Sequence, residues 1–267
     1  MQGASHGASQ AGKKLTTLTL SFLTQVKTFM TDYSPLLNRV PAIRHGFGNK
    51  SALLPGHLQP YRATLPEKKQ VHGTRIVDVT QAAQACGEAD GFYTTQPGIL
   101  LSVLTADCLP VIFSRHDGSA IAAVHAGWRG LLDGVLEQLA ARIAQDDSTT
   151  NWVASIGPAA GPCCYEVNEE LVERFKQQLP LPASLISPHY RHLDLAAIAE
   201  SKLRELGFAA VDHAGSCTIC TPNTDPLQPQ RFKYTSYRRN SHRRAQDTTP
   251  PGITGRNQYA AIIITGV

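Results

Sequence analysis

The sequence lacks any run of about 18 uncharged apolar residues, which is the length that a membrane-spanning helix requires. It is also poor in cysteine, with six in 267 residues, too few for a fold stabilised mainly by disulfides. Near the N-terminus, two lysines precede a weakly apolar stretch, but Thr, Ser and Gln dilute it and it makes a poor signal peptide. We therefore expect a cytoplasmic protein without a membrane partner, whose cysteines are available for metal binding or catalysis.

Two further absences narrow the function and the architecture. No nucleic-acid-binding motif occurs, so we expect no nucleic-acid partner. The basic segment at 231–244 holds six Lys or Arg residues and no acid, and it either binds phosphate or a nucleotide or forms a solvated loop. No repeat, long linker or composition break divides the chain. We predict a disordered extension over residues 1–29 and a single domain over residues 30–267.

Strand-like and helix-like segments alternate along the chain, which favours one α/β unit of mixed sheets. The helices are too few for a barrel of eight repeats. Asn168 and Asp194 stand where they would cap two helices, NEELVERFKQQL and LAAIAESKLREL, and Gly207 would end the second. An i, i+4 apolar stripe predicts a further helix over LLDGVLEQLAARIAQ. Predicted strands are VPAIRHGFGNK, KKQVHGTRIVDV (interrupted at His72), ILLSVLT, PVIF, AIAAVHA, NWVASIGP and QYAAIIIT.

His72, Cys108 and His125 lie in or at the ends of three of these strands. A thiolate with two imidazoles is a suitable ligand set for zinc, and three protein ligands leave the fourth tetrahedral position open, as in catalytic sites. Each residue taken alone is more often structural, as inert packing or as a hydrogen-bonded histidine. Together they form the candidate metal site, with zinc as the expected ion and copper as the alternative.

Asp107 precedes Cys108 inside the apolar run ILLSVLTADCLPVIF, where an unpaired carboxylate would be costly. The carboxylate therefore needs a metal, an arginine or a role in proton transfer. Neighbouring residues of an extended strand face opposite sides, so the two side chains reach one pocket only if the chain bends. Pro110, which cannot donate to a sheet ladder, favours such a bend.

A series of motifs then gives a more specific indication. In chain order they are KQVHG, ADGFYT, LTADCLPVIF, AVHAGWRG, IGPAAGPCCYEV, LDL, CTIC, SYRR and GR. In this order and content the chain resembles the YfiH family from about residue 44 to its C-terminus. Members have been called laccase-domain multicopper polyphenol oxidases, purine nucleoside phosphorylases and peptidoglycan editing factors. The resemblance implies a compact α/β sandwich of mixed sheets, grouped with a cysteine-hydrolase-like toxin domain, and zinc ligands at His72, Cys108 and His125.

One departure concerns substrate binding. Family members usually have HGFSTR where this chain has HGFGNK, so Lys50 stands in place of an arginine. Lysine keeps the charge but lacks the bidentate fork that suits phosphate. We expect Arg129, Arg238 and Lys50 to contact phosphate, with Arg129 the best placed because it follows His125 by four residues.

The resemblance implies a zinc-dependent purine nucleoside enzyme. Its reactions would be phosphorolysis of adenosine, inosine, guanosine or methylthioadenosine, and deamination of adenosine. The partners are then a small-molecule nucleoside and phosphate, bound by a monomer or a small homo-oligomer. We expect Asp107 to carry the proton in deamination, Cys108 to act within the reacting centre, and Arg129 to neutralise the phosphate.

Two other chemistries remain open. A copper-dependent phenol oxidation would use the same three ligands, but laccase chemistry also needs several His-x-His pairs, and the ten histidines include none. A cysteine hydrolase acting on an amide of a peptidoglycan precursor would use Cys108 as nucleophile and His125 as base. Coordination of a metal by the same thiolate would oppose that reaction.

The other cysteines offer a weaker signal. Cys217 and Cys220 have the C-x-x-C spacing that chelates metals, but no matching second pair is apparent. We therefore interpret this motif, and the adjacent Cys163 and Cys164, as structural.

Overall fold

The computed structural model describes residues 32–226, 231–246 and 257–266. The extension expected at residues 1–29 lies outside these ranges, so that boundary stays a prediction. The strands are β1 Ile43–Phe47, β2 Glu67–Lys69, β3 Ile76–Asp78, β4 Ala85–Glu88, β5 Gly91–Thr94, β6 Leu101–Thr105, β7 Leu109–Arg115, β8 Ile121–Ala126, β9 Trp152–Ile156, β10 Ala210–His213 and β11 Gln258–Ile264. The α-helices are α1 Trp128–Asp133, α2 Val135–Ile143, α3 Glu169–Gln178, α4 Ala183–Ile186, α5 Leu195–Glu205 and α6 Tyr237–Gln246, with 3-10 helices at Leu37–Arg39, Gly56–Thr64 and Thr149–Asn151.

Two sheets form the body of the fold. The larger has the strand order β10-β9-β7-β8-β5-β3; its outer pairs, β10 with β9 and β5 with β3, are parallel, and its inner pairs are antiparallel. The smaller is antiparallel, with the order β1-β11-β6, and β2 pairs with β4 separately. This mixed α/β architecture confirms the predicted fold class.

Apolar side chains fill the spaces on both faces of the larger sheet. One face packs on the helices, through residues such as Val111, Phe113 and Val124. The opposite face packs on the smaller sheet, and alternate residues of the same strands, such as Ile112, contribute to it. Because both faces are covered, β8 is buried along its whole length, as its continuous apolar sequence predicts. The Gly56–Thr64 helix covers the outer face of the smaller sheet, where Leu58 is buried.

The helix caps follow the sequence prediction. The side chain of Asn168 accepts a hydrogen bond from the backbone N–H of Leu171, and that of Asp194 accepts one from Ala197. Gly207 takes a positive φ of 82° just past the end of α5. Among the described residues no helix is long and apolar enough to cross a membrane.

Two helical predictions need correction. The stripe over residues 131–145 belongs to two helices, because Gly134 adopts a φ of 94° and ends α1, donating its N–H to the carbonyl of Gly130. The apolar spacing continues across the break, so the sequence pattern does not reveal it. The basic segment at 231–244 is not all loop, since α6 begins at Tyr237. Its mean hydropathy is strongly polar, so it has no apolar stripe to announce a helix.

Candidate active site

The chain crosses from one sheet to the other at residues 106–108. β6 belongs to the smaller sheet and β7 to the larger, and the three residues between them form bends. Asp107 has a φ of 95°, which is rare for a residue with a side chain. This change of direction lets Asp107 and Cys108 line the same pocket. The expected bend is therefore present, immediately before the strand that contains Pro110.

His72, Cys108 and His125 meet at this crossing. One nitrogen of each imidazole and the Cys108 sulfur lie within 4.8 Å of one another, and the two rings are in edge-to-face contact with centroids 4.8 Å apart. His125 is buried near the end of β8, Cys108 is half-buried, and His72 is exposed on the loop between β2 and β3. The predicted ligand set is thus assembled from three separate parts of the chain.

Asp90 holds both histidines and is the main feature that the sequence analysis missed. The backbone N–H groups of Val71, His72 and Gly73 donate to its carboxylate at 3.1, 3.0 and 2.8 Å. Nδ1 of His125 lies 2.7 Å from the same carboxylate, which can only accept, so the proton is on Nδ1. The other ring nitrogen, Nε2, is then the one available to Cys108 or to a metal. Carboxylates of this kind orient metal-binding histidines and raise their basicity.

The site also has unusual acid–base properties. Burial disfavours the Cys108 thiolate, but hydrogen bonds and charge from His125 and His72 outweigh burial and lower the pKa of Cys108 to about 6. Burial would lower the pKa of His125, yet its contacts with Asp90 and Cys108 raise that pKa to about 9. Burial opposes ionisation of Asp90 too, but the donors listed above lower its pKa. A thiolate is therefore available at neutral pH, either to bind a metal or to act as a nucleophile.

Two glycines at the start of α1 allow the His72 loop to approach closely. A Cβ on Gly127 would lie 2.8 Å from Cδ2 of His72 and 3.4 Å from the Cys108 sulfur. A Cβ on Gly130 would lie 2.8 Å from the carbonyl oxygen of Gly73. These contacts are too short for a side chain, so glycine is required here for packing around the ligand set.

The carboxylate of Asp107 is fully engaged by neighbouring segments. Oδ1 accepts a hydrogen bond from Oγ1 of Thr218 at 2.7 Å. Oδ2 accepts from Oγ of Ser236 at 3.0 Å and from the backbone N–H of Arg238 at 2.7 Å. These three donors explain how the carboxylate is tolerated in an apolar run, and they tie the CTIC and SYRR segments to the crossing.

A cavity of about 720 Å³ opens above the ligand set, a volume that suits a ligand of nucleoside size. Its walls combine aromatic and cationic side chains. The sequence analysis did not identify Lys68, which lines the cavity and donates to Oγ of Ser102 at 3.0 Å. Burial lowers the pKa of Lys68 to about 8. The other lining residues are Gln70, His72, Leu104, Thr105, Ala106, Asp107, Cys108, His125, Trp128, Arg129, Tyr165, Leu195, Tyr237, Arg238 and Asn257.

The predicted phosphate contacts are not all in the cavity. Arg129 lines it, with its guanidinium 4.8 Å from the Trp128 ring centroid. Arg238 lines it as well, and its Nη1 donates to the carbonyl of Glu166. Lys50 is not among the described residues that line the cavity; its backbone N–H donates to the carbonyl of Lys233 at 2.9 Å. The structure thus brings two of the three cations to the site.

Arg239 was expected at the surface, but it has a different position. Its guanidinium donates to the backbone carbonyls of Thr218, Ile219 and Tyr234. It therefore fastens the segment that supports Asp107.

Asp90 could have been found from its sequence context. It lies in ADGFYT, where an acid is followed by four residues that the structure buries as β5. A carboxylate at the start of a buried strand needs donors, as Asp107 does. Nothing in the spacing indicates that those donors come from the His72 loop.

Comparison with known proteins gives consistent results. A model of the family described as multi-copper polyphenol oxidoreductase laccase matches residues 51–261. Purine nucleoside phosphorylase YfiH of Escherichia coli K12 is 35% identical over 64% of this chain and 74% of its own length. A purine nucleoside phosphorylase of Xylella fastidiosa Temecula1 is 38% identical over 58% of this chain and 62% of its own. The crystal structure of YlmD from Geobacillus stearothermophilus superposes with a TM-score of 0.69 at 22% identity, covering 87% of this chain and 94% of YlmD, which shows a shared fold.

Proposed function

The chain belongs to the family described as multi-copper polyphenol oxidoreductase laccase, and on this premise we propose that it is a zinc-dependent enzyme of purine nucleosides. The reactions are phosphorolysis of adenosine, inosine, guanosine or methylthioadenosine, and deamination of adenosine. The observation that carries the proposal is the set of His72, Cys108 and His125 at the base of the cavity, oriented by Asp90. The names of the bacterial relatives support the choice of substrate.

The donor chemistry suits a resident zinc ion, with copper as the alternative. His72, Cys108 and His125 offer two imidazoles and a thiolate, and their ligand atoms lie within 4.8 Å of one another. Three protein ligands leave one position open toward the cavity, as catalytic zinc sites do. When bound, zinc would supply Lewis-acid chemistry at that position. Asp90 keeps Nε2 of His125 unprotonated for coordination.

In phosphorolysis, the residues of the cavity bind and orient the two substrates. An oxygen of phosphate forms a bond to ribose C1′ while the bond from C1′ to purine N9 breaks, and the purine leaves with the electron pair and takes up a proton. Arg129 and Arg238 neutralise the phosphate, and Lys68 adds a third cation from the opposite wall. The aromatic ring of Tyr165 gives the base an apolar surface.

In deamination, water adds to C6 of adenosine, ammonia leaves, and a proton moves from the water to the leaving nitrogen. We propose Asp107 as the group that carries this proton, since it lines the cavity beside Cys108. Its hydrogen bonds from Thr218 and Ser236 also give it a positioning role. Asp107→Asn separates the two: loss of deamination with phosphorolysis retained supports proton transfer, whereas equal loss of both indicates positioning alone.

One experiment tests the proposal as a whole. Protein purified without added metal is assayed for metal content, and it is then incubated with adenosine and phosphate. Inosine, adenine, hypoxanthine and ribose 1-phosphate are the products to measure. We expect Cys108→Ala to abolish them, and Cys86→Ala to serve as the matched control, because Cys86 is a buried free cysteine outside the cavity. Full activity in Cys108→Ala would contradict the proposal.

Two observations support other chemistries, and each has a distinct outcome. The family description favours copper-dependent oxidation of phenols, for which oxygen uptake on a phenol would require added copper. The low pKa of Cys108 and the high pKa of His125 favour a cysteine hydrolase acting on an amide of a peptidoglycan precursor. A metal-free protein that iodoacetamide labels stoichiometrically at Cys108 would replace the zinc proposal with the hydrolase.

A further inference from the structure

Four cysteines outside the active site form a second cluster. Cys163 and Cys164 follow β9, and Cys217 and Cys220 follow β10. β9 and β10 are parallel neighbours, so the loops that leave their carboxyl ends meet at the same edge of the sheet. The four sulfur atoms all lie within 4.8 Å of one another, and those of Cys163 and Cys220 are 3.6 Å apart. The second pair that the C-x-x-C motif lacks in the sequence is therefore the adjacent Cys163 and Cys164.

We propose that these four cysteines bind a single zinc ion as a closed tetrathiolate site. Zinc–sulfur bonds of about 2.3 Å in a tetrahedron place neighbouring sulfurs about 3.8 Å apart, so the observed cluster needs only small adjustments. With four protein ligands no position remains for a water or a substrate, so this site is structural. It is separate from the one formed by His72, Cys108 and His125, and the inference does not rest on the proposed function.

The backbone around the cluster is arranged for thiolates. The N–H of Gly161 donates to the Cys217 sulfur at 3.3 Å, and the N–H groups of Ile219 and Cys220 donate to the same sulfur. Donors from the backbone stabilise sulfur that carries negative charge, and they orient metal-bound thiolates. A Cβ on Gly161 would lie 3.3 Å from the Cys217 Cβ and 3.6 Å from the Cys163 sulfur, so the two loops are in close contact here.

Burial supports a metal rather than packing as the reason for the cluster. Cys163 and Cys220 are exposed, and Cys164 and Cys217 are only half-buried. Cysteines that serve as small apolar groups are normally buried, as Cys86 is in this chain. Four partly exposed thiols that converge from two loops are the arrangement that structural zinc requires.

The bound zinc would fix the loops that support the active site. Thr218 lies between the two ligands of the CTIC motif and donates to Asp107. On the other loop, the N–H of Ala160 donates to the carbonyl of Asp107, and Tyr165, which lines the cavity, directly follows Cys164. The second zinc thus acts as a positioning element that touches neither substrate nor reacting atoms.

The test uses the full-length Cys108→Ala protein, which lacks one ligand of the first site. We expect this protein to retain about one zinc ion per chain. Replacing that zinc with Co²⁺ should give the d–d bands of tetrahedral cobalt together with intense sulfur-to-cobalt charge-transfer absorption. In Cys108→Ala, addition of Cys217→Ser and Cys220→Ser should remove both the zinc and this absorption, whereas addition of Cys86→Ser should leave both unchanged.

A second measurement does not depend on cysteine variants that fold. Zinc-loaded Cys108→Ala is treated with N-ethylmaleimide, with and without a chelator, and the modified peptides are identified by mass spectrometry. We expect Cys163 and Cys220 to be protected until the chelator is present, although both are exposed. Immediate modification of both residues without chelator would overturn the proposal. Disulfides among the four cysteines in freshly isolated, unreduced protein would also overturn it.

Discussion

The two cysteine-containing clusters differ in what they leave open. His72, Cys108 and His125 provide three donors at the base of a cavity of about 720 Å³. The four-cysteine cluster provides four donors between two surface loops, with no cavity lined by its sulfurs among the described pockets. The number of ligands decides whether a metal has a free position for chemistry. We therefore assign catalysis to the first cluster and loop positioning to the second.

The clusters also differ in how their ligands are oriented. In the first, a buried carboxylate, Asp90, binds His125 and the backbone next to His72. In the second, the donors to sulfur are backbone N–H groups, such as that of Gly161. Variants of these supporting groups should therefore affect one cluster at a time, and the predictions below use that independence.

The largest effect is expected for His125→Ala. It removes a buried ligand of the first cluster, and we expect phosphorolysis to fall by at least about a thousandfold, since metal catalysis contributes several kcal/mol and each 1.36 kcal/mol is about tenfold. Zinc bound by the four cysteines should remain. Metal analysis together with product assays measures both quantities. Loss of all zinc in this variant would show that the two clusters are coupled.

Asp90→Asn should have the next largest effect. The amide keeps the shape but no longer fixes the Nδ1 proton of His125, and changes to such orienting groups cost about 10- to 100-fold in metal affinity or activity. Competition with a chromogenic chelator measures the affinity of the first site, and Asp78→Asn is a control at an exposed carboxylate that pairs with Arg142. Unchanged affinity in Asp90→Asn would contradict the assignment of Asp90 as the orienting group.

A matched pair of glycine variants compares the packing of the two clusters. In Gly127→Ala the new Cβ would lie 2.8 Å from the His72 ring, so the ring must move and we expect about tenfold lower affinity of the first site. In Gly161→Ala the shortest contact is 3.3 Å, to the Cys217 Cβ, and a smaller loss at the four-cysteine cluster is expected. Neither residue has a positive φ, so the difference reflects contact alone. The reverse order of effects would contradict this account.

The sequence was sufficient for one cluster and insufficient for the other. His72, Cys108 and His125 lie at strand ends, and strand ends are visible as breaks in apolar runs. The partnership of Cys163 and Cys164 with Cys217 and Cys220 depends on β9 and β10 being parallel neighbours. Strand order is a property of long-range packing, which local patterns do not encode.

The same reasoning applies to the fold. The buried strands and the caps at Asn168 and Asp194 were predicted, because burial and capping leave local patterns. The break at Gly134 was not predicted, since the apolar stripe continues beyond it. Asp90 was missed because its donors come from a distant loop, and Lys50 was placed by its position in a motif rather than by packing.

The smallest effect concerns charge in the cavity of the first cluster. Burial lowers the pKa of Lys68 to about 8, so its amine is cationic below that pH and neutral above it. If Lys68 binds phosphate, the KM for phosphate should rise a few-fold between about pH 7 and pH 9, as one cation is lost from the cavity. Lys68→Arg should remove this rise because guanidinium stays charged.

Lys68→Met should show the high KM across the whole pH range, and Lys69→Met is the matched control, because Lys69 is an exposed neighbour that pairs with Glu88. A KM that rises equally in Lys68→Met would exclude Lys68 as the titrating group. Zinc in the four-cysteine cluster should be unaffected by all three variants, since Lys68 lines the cavity of the first cluster and is not among the residues of the second.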